Sequence, residues 1–131
     1  IWQPDITWLR ERQIDFLPVA FPGFSWHNMK GDPFNAIPRL QGRFFWSQVT
    51  AAKRAGADML YVAMFDEVDE ATAIFKVTNH PPTGPGDGVR FATYEGLPGD
   101  HYLRLTGHAA KVIRGEAPAN DELPFPLPTP P

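Results

Sequence analysis

Met59–Leu60–Tyr61–Val62–Ala63–Met64–Phe65 runs without a break into Asp66–Glu67–Val68–Asp69–Glu70–Ala71–Thr72. The apolar run follows Gly56 closely and ends on acids, so it reads as a fully buried strand over 59–65. Just upstream, Arg43–Ala55 places Phe45, Val49 and Ala52 on one helical face, with Gly56 as the stop. Helix, glycine and continuous apolar strand form the αβ half of a βαβ unit, which predicts a parallel sheet. The carboxylates Asp66, Glu67, Asp69 and Glu70 then fall where this strand leaves the sheet. In α/β folds, the carboxyl ends of parallel strands are where ligands bind.

Working outward, residues 4–13 predict a helix, with Pro4 in its first turn and Ile6, Leu9 and Gln13 at helical spacing. Phe16–Phe21 reads as a short strand ending at Pro22–Gly23, although Pro18 removes one ladder donor. A long loop is expected from Phe24 to Gln41, and a second from Asp66 to Pro98. Asp100 is placed to cap a last helix over 101–114, with Tyr102, Leu105, Ala109 and Val112 inward and Gly115 closing it. The proline-rich tail, 117–131, predicts no regular element.

Long loops after strands and short turns after helices are the asymmetry of a (β/α)8 TIM barrel, which needs about 250 residues. The expected fold class is therefore α/β, with residues 1–116 as the C-terminal βα units of such a barrel. The opening Ile1–Trp2 suggests an N-terminally truncated piece. An open sheet would be unusually thin with only these two strands.

A chain of 131 residues is sized for one domain, and 13% aromatic content favours a packed one. A net charge of −3 gives no sign of a nucleic-acid surface. The lack of cysteine excludes disulfides and thiolate chemistry. No run approaches the roughly 18 apolar residues of a membrane span, and no basic-then-apolar leader is visible.

Glu67 and Glu70, three apart, share one side of a helical turn, with Cβ atoms about 5–6 Å apart. Retaining glycosidases hold their carboxyl pair at roughly 5–5.5 Å, and crowding would keep one acid protonated as the general acid. The ordinary alternative is a solvated acidic loop. The four acids lack the spacing of an EF-hand, so no metal or cofactor is expected. Phe24–Ser25–Trp26–His27–Asn28 offers a flat aromatic face beside polar groups, which suits a sugar; equally, Trp26 could plug the rim. Trp46, Phe44 and Phe45 read as core, and His80, His101 and His108 as surface or structural residues.

Three blocks, Pro22–Gly23–Phe24–Ser25–Trp26–His27–Asn28, Gly42–Arg43–Phe44–Phe45–Trp46, and Gly56–Ala57–Asp58 through Thr72, together resemble the C-terminal portion of family 71/99-like glycoside hydrolases. The resemblance runs from about Phe16 to Gly115. It implies that Glu67 deprotonates the sugar 2-hydroxyl, which attacks its own anomeric carbon, and that Glu70 protonates the leaving oxygen and later activates water. Retention would then pass through a 1,2-anhydro sugar. The endo-α-mannosidase motif carries Trp, Asn, Trp and His where this chain has Phe65, Asp66, Val68 and Asp69, and Gly where it has Ala71. Both acids are kept.

The expected function is retaining hydrolysis of an α-linked oligosaccharide or polysaccharide, with Glu67 and Glu70 catalytic and Trp26, His27, Asn28 and Asp66 binding substrate. No membrane insertion is expected, and the resemblance implies a secreted or periplasmic protein. The rival expectations are a non-catalytic carbohydrate-binding or structural relative, and a fragment inactive alone.

Overall fold

Two parallel strands lie beside two amphipathic helices, and the long segments leaving the strands fold back over one end. The computed structural model describes residues 2–82, 86 and 88–127. In chain order the elements are α1 (Trp2–Glu11), β1 (Val19–Ala20), α2 (His27–Lys30), a 3-10 turn (Leu40–Gly42), α3 (Arg43–Arg54), β2 (Tyr61–Val62) and α4 (His101–Ile113).

Helices α3 and α4 follow the hydrophobic pattern closely. Phe45, Trp46 and Val49 of α3 meet Tyr102, Leu105, Ala109 and Val112 of α4 in one core, and Ala52 is buried on the same helix. Both helices end in the same way. Gly56 and Gly115 take positive φ angles of 87° and 78°. Past them, Ala57 N–H donates to the Ala52 carbonyl and Glu116 N–H to that of Lys111. These six-to-one bonds satisfy carbonyls that the helix end would leave bare, and they need a left-handed residue at the turn. Asp100 precedes α4 as expected, but its carboxylate makes no capping bond. The chain instead enters α4 through a turn in which His101 N–H donates to Pro98 O at 2.9 Å.

Helix α1 starts two residues earlier than its spacing implies and ends at Glu11. Gln13 is not on its apolar face; it sits beyond the end at φ 55°, the left-handed turn residue. Arg10 ties α1 to the end of α3 by donating to the Gly56 carbonyl.

The parallel pairing of β1 and β2 is present, in the register Val19 to Tyr61 and Ala20 to Val62. Pro18 is tolerated because it contributes only its carbonyl, which accepts from Tyr61 N–H at 2.9 Å. Both strands are shorter than expected, and the full burial of 59–65 is corrected. Leu60 and Val62 pack on the core, whereas Tyr61 is 51% and Phe65 58% exposed, with Met59 and Met64 exposed beside them. The helices cover one side of the sheet, and no second layer among the described residues covers the other.

The loop expected over 24–41 contains an antiparallel bridge, Phe24 to Ile37, and the short helix α2. The segment between β2 and α4 has no regular element among its described residues, yet it supplies Ile74, Tyr94 and Leu97 to the core. The tail is irregular but anchored: Trp46 Nε1–H donates to Asn120 O at 2.9 Å, and Phe125 packs on His101 and His108. The last four residues of the tail, 128–131, lie outside the described residues.

His101 is buried at the start of α4, where its Nε2–H donates to the Gln41 carbonyl at 3.2 Å. Burial lowers its pKa below the ordinary 6.5; the Gln41 bond opposes this, Arg104 adds to it, and Asp100 and Glu95 oppose it. The unfolded chain therefore binds a proton here that the folded chain resists. Stability is expected to be full above about pH 6.5 and to fall as pH drops through the lower folded value. Denaturant titrations from pH 7.5 to 5 would show this slope, and His101→Gln should flatten it.

Candidate active site

Both strands release their chains at the same edge, and the two released segments meet there. Leaving β1, Phe21 is clamped by Gln48 of α3: Gln48 Nε2 donates to Phe21 O at 2.8 Å, and Phe21 N–H donates back to Gln48 Oε1 at 3.3 Å. That clamp directs the chain into Phe24–Asn28. Ser25 is buried, and its hydroxyl accepts from Asn35 N–H at 3.1 Å, folding the segment back on itself.

Leaving β2, residues 66–74 form a compact loop whose ends are joined. Phe65 O accepts from both Ile74 N–H and Phe75 N–H at 2.9 Å. Inside it, Glu67 O accepts from Thr72 N–H at 3.1 Å and from Ala73 N–H at 2.9 Å. Residues 68–71 make a single turn, closed by Ala71 N–H on Val68 O at 3.2 Å. Ala71 has φ 59°, a conformation that costs a residue with a Cβ about 1–2 kcal/mol. Glycine would fill it without strain. Tyr94 braces the loop from below, its buried hydroxyl reaching the carbonyls of Ala73 at 3.2 Å and Phe75 at 2.5 Å.

The segments join through main chain and side chain. Ser25 N–H donates to Glu70 O at 2.8 Å. The Trp26 indole Nε1–H donates to Glu70 Oε1 at 3.1 Å, and Asn28 Nδ2 donates to Asp69 Oδ1 at 3.3 Å. Lys30 places its ammonium 3.5 Å from the centre of the Trp26 ring. A cation on that face polarises the ring and strengthens the indole as a donor to Glu70. Indole can only donate, so Oε1 of Glu70 is engaged as an acceptor.

Of the expected site residues, Trp26, Asn28 and Glu70 are thus gathered at one rim, and Glu67 lies in the same loop as Glu70. His27 is not among them: its Nδ1 donates to Asp32 O at 3.0 Å and its ring packs on Phe34. Asp66 is exposed at the strand exit and bonds none of these side chains among the described residues. Glu67 and Glu70 are both half-buried, and neither takes part in an ion pair among the described residues. No group of three potential metal ligands occurs among the described residues. Sequence reasoning missed Lys30, one turn of helix beyond Trp26, and the anchoring role of Ser25, which the Ser25-x-His27 spacing could have suggested through its tendency to form local turns.

The architecture and the rim define one α/β unit of parallel strands delivering carboxylates to their carboxyl edge. Among solved structures, the chain is similar to the GH99 endo-α-mannosidase from Bacteroides thetaiotaomicron in complex with bis-tris-propane. It superposes with a TM-score of 0.74 at 22% identity, over 88% of this chain and 35% of that one. A second structure of the endo-α-mannosidase from that organism gives a TM-score of 0.71 at 22% identity, over 87% of this chain and 33% of that one. The chain has the fold of about a third of those enzymes, in line with the resemblance read from its motifs. No family model matches it. No curated protein matches it either.

Proposed function

We propose that this chain is the C-terminal βα portion of a (β/α)8 barrel that hydrolyses an α-linked glycan with retention, Glu67 and Glu70 being its catalytic acids. The observation that carries the reading is the Trp26 to Glu70 hydrogen bond, which orients an acid at the strand edge that forms no ion pair among the described residues. A carboxylate fixed by an internal ion pair would fit a structural or sugar-binding relative better. Because the chain spans about a third of the similar enzymes, activity belongs to the whole protein of which these units form part.

In this mechanism Glu67 takes the proton of the sugar 2-hydroxyl, and O2 attacks C1 as the bond to the leaving oxygen breaks. Glu70 gives its proton to that oxygen. Since Oε1 accepts from Trp26, the proton transferred is carried on Oε2. Glu70, now ionised, removes a proton from water; the water attacks C1, the C1–O2 bond opens, and Glu67 returns its proton to O2. Two inversions at C1 leave the product α. Trp26 sets the orientation of Glu70, and Asn28 steadies the loop through Asp69. Asp66, exposed at the strand exit, is proposed to reach the glycan, whereas His27 is held away from the rim by Asp32 and Phe34.

The test is the stereochemistry of turnover by full-length protein on an α-mannan oligosaccharide, followed by proton NMR. The α anomer is expected first, and the matching 2-deoxy substrate should not be cleaved. Initial β product, or cleavage of the 2-deoxy sugar, would reject the internal-nucleophile route.

A further inference from the structure

Arg39 is one of the largest side chains buried in this molecule, at 2% exposure. Its guanidinium lies against the edge-to-face pair of Tyr94 and Tyr102, 4.8 and 4.6 Å from their ring centres, which are themselves 4.6 Å apart. The Tyr102 hydroxyl is near the guanidinium but makes no well-aligned hydrogen bond to it, so Nε and Nη1 of Arg39 are buried without an acceptor in good geometry. Glu95 lies on the same side, yet its carboxylate accepts from the Gln41 amide and forms no ion pair with Arg39. A guanidinium keeps its proton in proteins, so this is a buried charge with unmet donors.

Arg39 also lines a cavity of about 400 Å³. The cavity has an apolar wall that includes Phe75 and Phe91, and it runs beneath Val68, the residue between Glu67 and Asp69. Lys76 and Thr78 also line it, and no acidic residue does so among the described residues. Among the described residues the lining carries two cations and no carboxylate, a local reversal in a chain of net charge −3. Planar guanidinium donors match the oxygens of a carboxylate, sulfate or phosphate.

We propose that this cavity binds an oxyanion, a carboxylate, sulfate or phosphate group, against Arg39 and Lys76. The volume accommodates such a group on a sugar ring as well as the free ion, and the apolar wall suits the ring. Val68 and Ala73 of the acid loop line the cavity but Trp26, Glu67 and Glu70 do not, so the proposal stands whether or not the rim is catalytic.

Thermal unfolding of the full-length protein tests it at constant ionic strength. The probes are inorganic phosphate, sulfate, glucose 6-phosphate and glucuronate, with glucose and chloride as controls. At ten times its dissociation constant a ligand should raise Tm by about 2 °C for a protein about three times the length of this chain. The rise should saturate and should vanish in Arg39→Met. Because that variant disturbs the packing against Tyr94 and Tyr102, Ala92→Leu is the companion: it narrows the cavity and leaves Arg39 in place. It should weaken the response at least tenfold in concentration. A response to the free ions alone, or to the sugar-borne anions alone, supports the site and identifies the source. No saturable response to any anion, or an equal response in both variants, overturns it.

Discussion

Replacing Glu70 by Gln in the full-length protein is expected to lower turnover of a natural glycan by about 10²–10⁴-fold, the range that a positioned proton donor contributes. Glutamine still accepts from the Trp26 indole through its amide oxygen, so the rim should keep its shape and the loss should be chemical. The leaving oxygen of a sugar needs a proton, whereas an activated aryl group needs little. An aryl α-mannoside should therefore lose less in its bond-breaking step than the natural glycan. Glu67→Gln should slow both substrates, because the 2-hydroxyl must be deprotonated whatever departs. Pre-steady-state rates on the two substrates separate the roles. Unchanged turnover in both variants would remove the enzyme reading, and a sugar ester trapped on Glu67 would replace the internal nucleophile with a carboxylate one.

The second large effect falls on stability. Gly42 stands at the entrance to α3 with φ 95°, and a Cβ there would lie 2.8 Å from Leu105 Cδ2 and 3.0 Å from His101 Nε2. Gly42→Ala thus combines backbone strain, about 1–2 kcal/mol, with overpacking at the contact of α3 and α4, about 1–3 kcal/mol. A total near 3 kcal/mol corresponds to a fall in Tm of about 10 °C for a unit of this size. Gly31 is the control: its φ is 73° but nothing lies within 4 Å of its missing Cβ, so Gly31→Ala should show the strain alone. Equal losses in the two variants would mean that the helix contact gives way without cost.

The helices were legible because their information is local. Phe45, Val49 and Ala52 recur at helical spacing, and Gly56 and Gly115 mark left-handed turns that few other residues fill. The parallel pairing was legible from the order of helix, glycine and strand. Burial of 59–65 was misread because seven apolar residues imply cover on both faces, and cover depends on chain elsewhere. At the rim, the approach of Trp26 and Asn28 to Glu70 and Asp69 follows from two strands sharing a carboxyl edge. The turning away of His27 does not, since it depends on Phe34 and Asp32 in a loop without periodicity. Arg39, between Pro38 and Leu40, carries no local sign of burial either: the tyrosines enclosing it come from two distant segments.

The loop that carries the acids hangs on its own backbone. Phe65 O holds both Ile74 N–H and Phe75 N–H, Glu67 O holds Thr72 N–H and Ala73 N–H, and Ser25 N–H holds Glu70 O. Amide and carbonyl groups are common to nearly every residue, so these ties are indifferent to what the side chains are. Substitutions at positions 65, 66 and 68 can therefore leave these main-chain ties to the segment presenting 67 and 70 in place, whereas Asp69 is held in addition by Asn28. A lineage can retune what the rim touches by point substitution, without rebuilding the frame that aims its two acids.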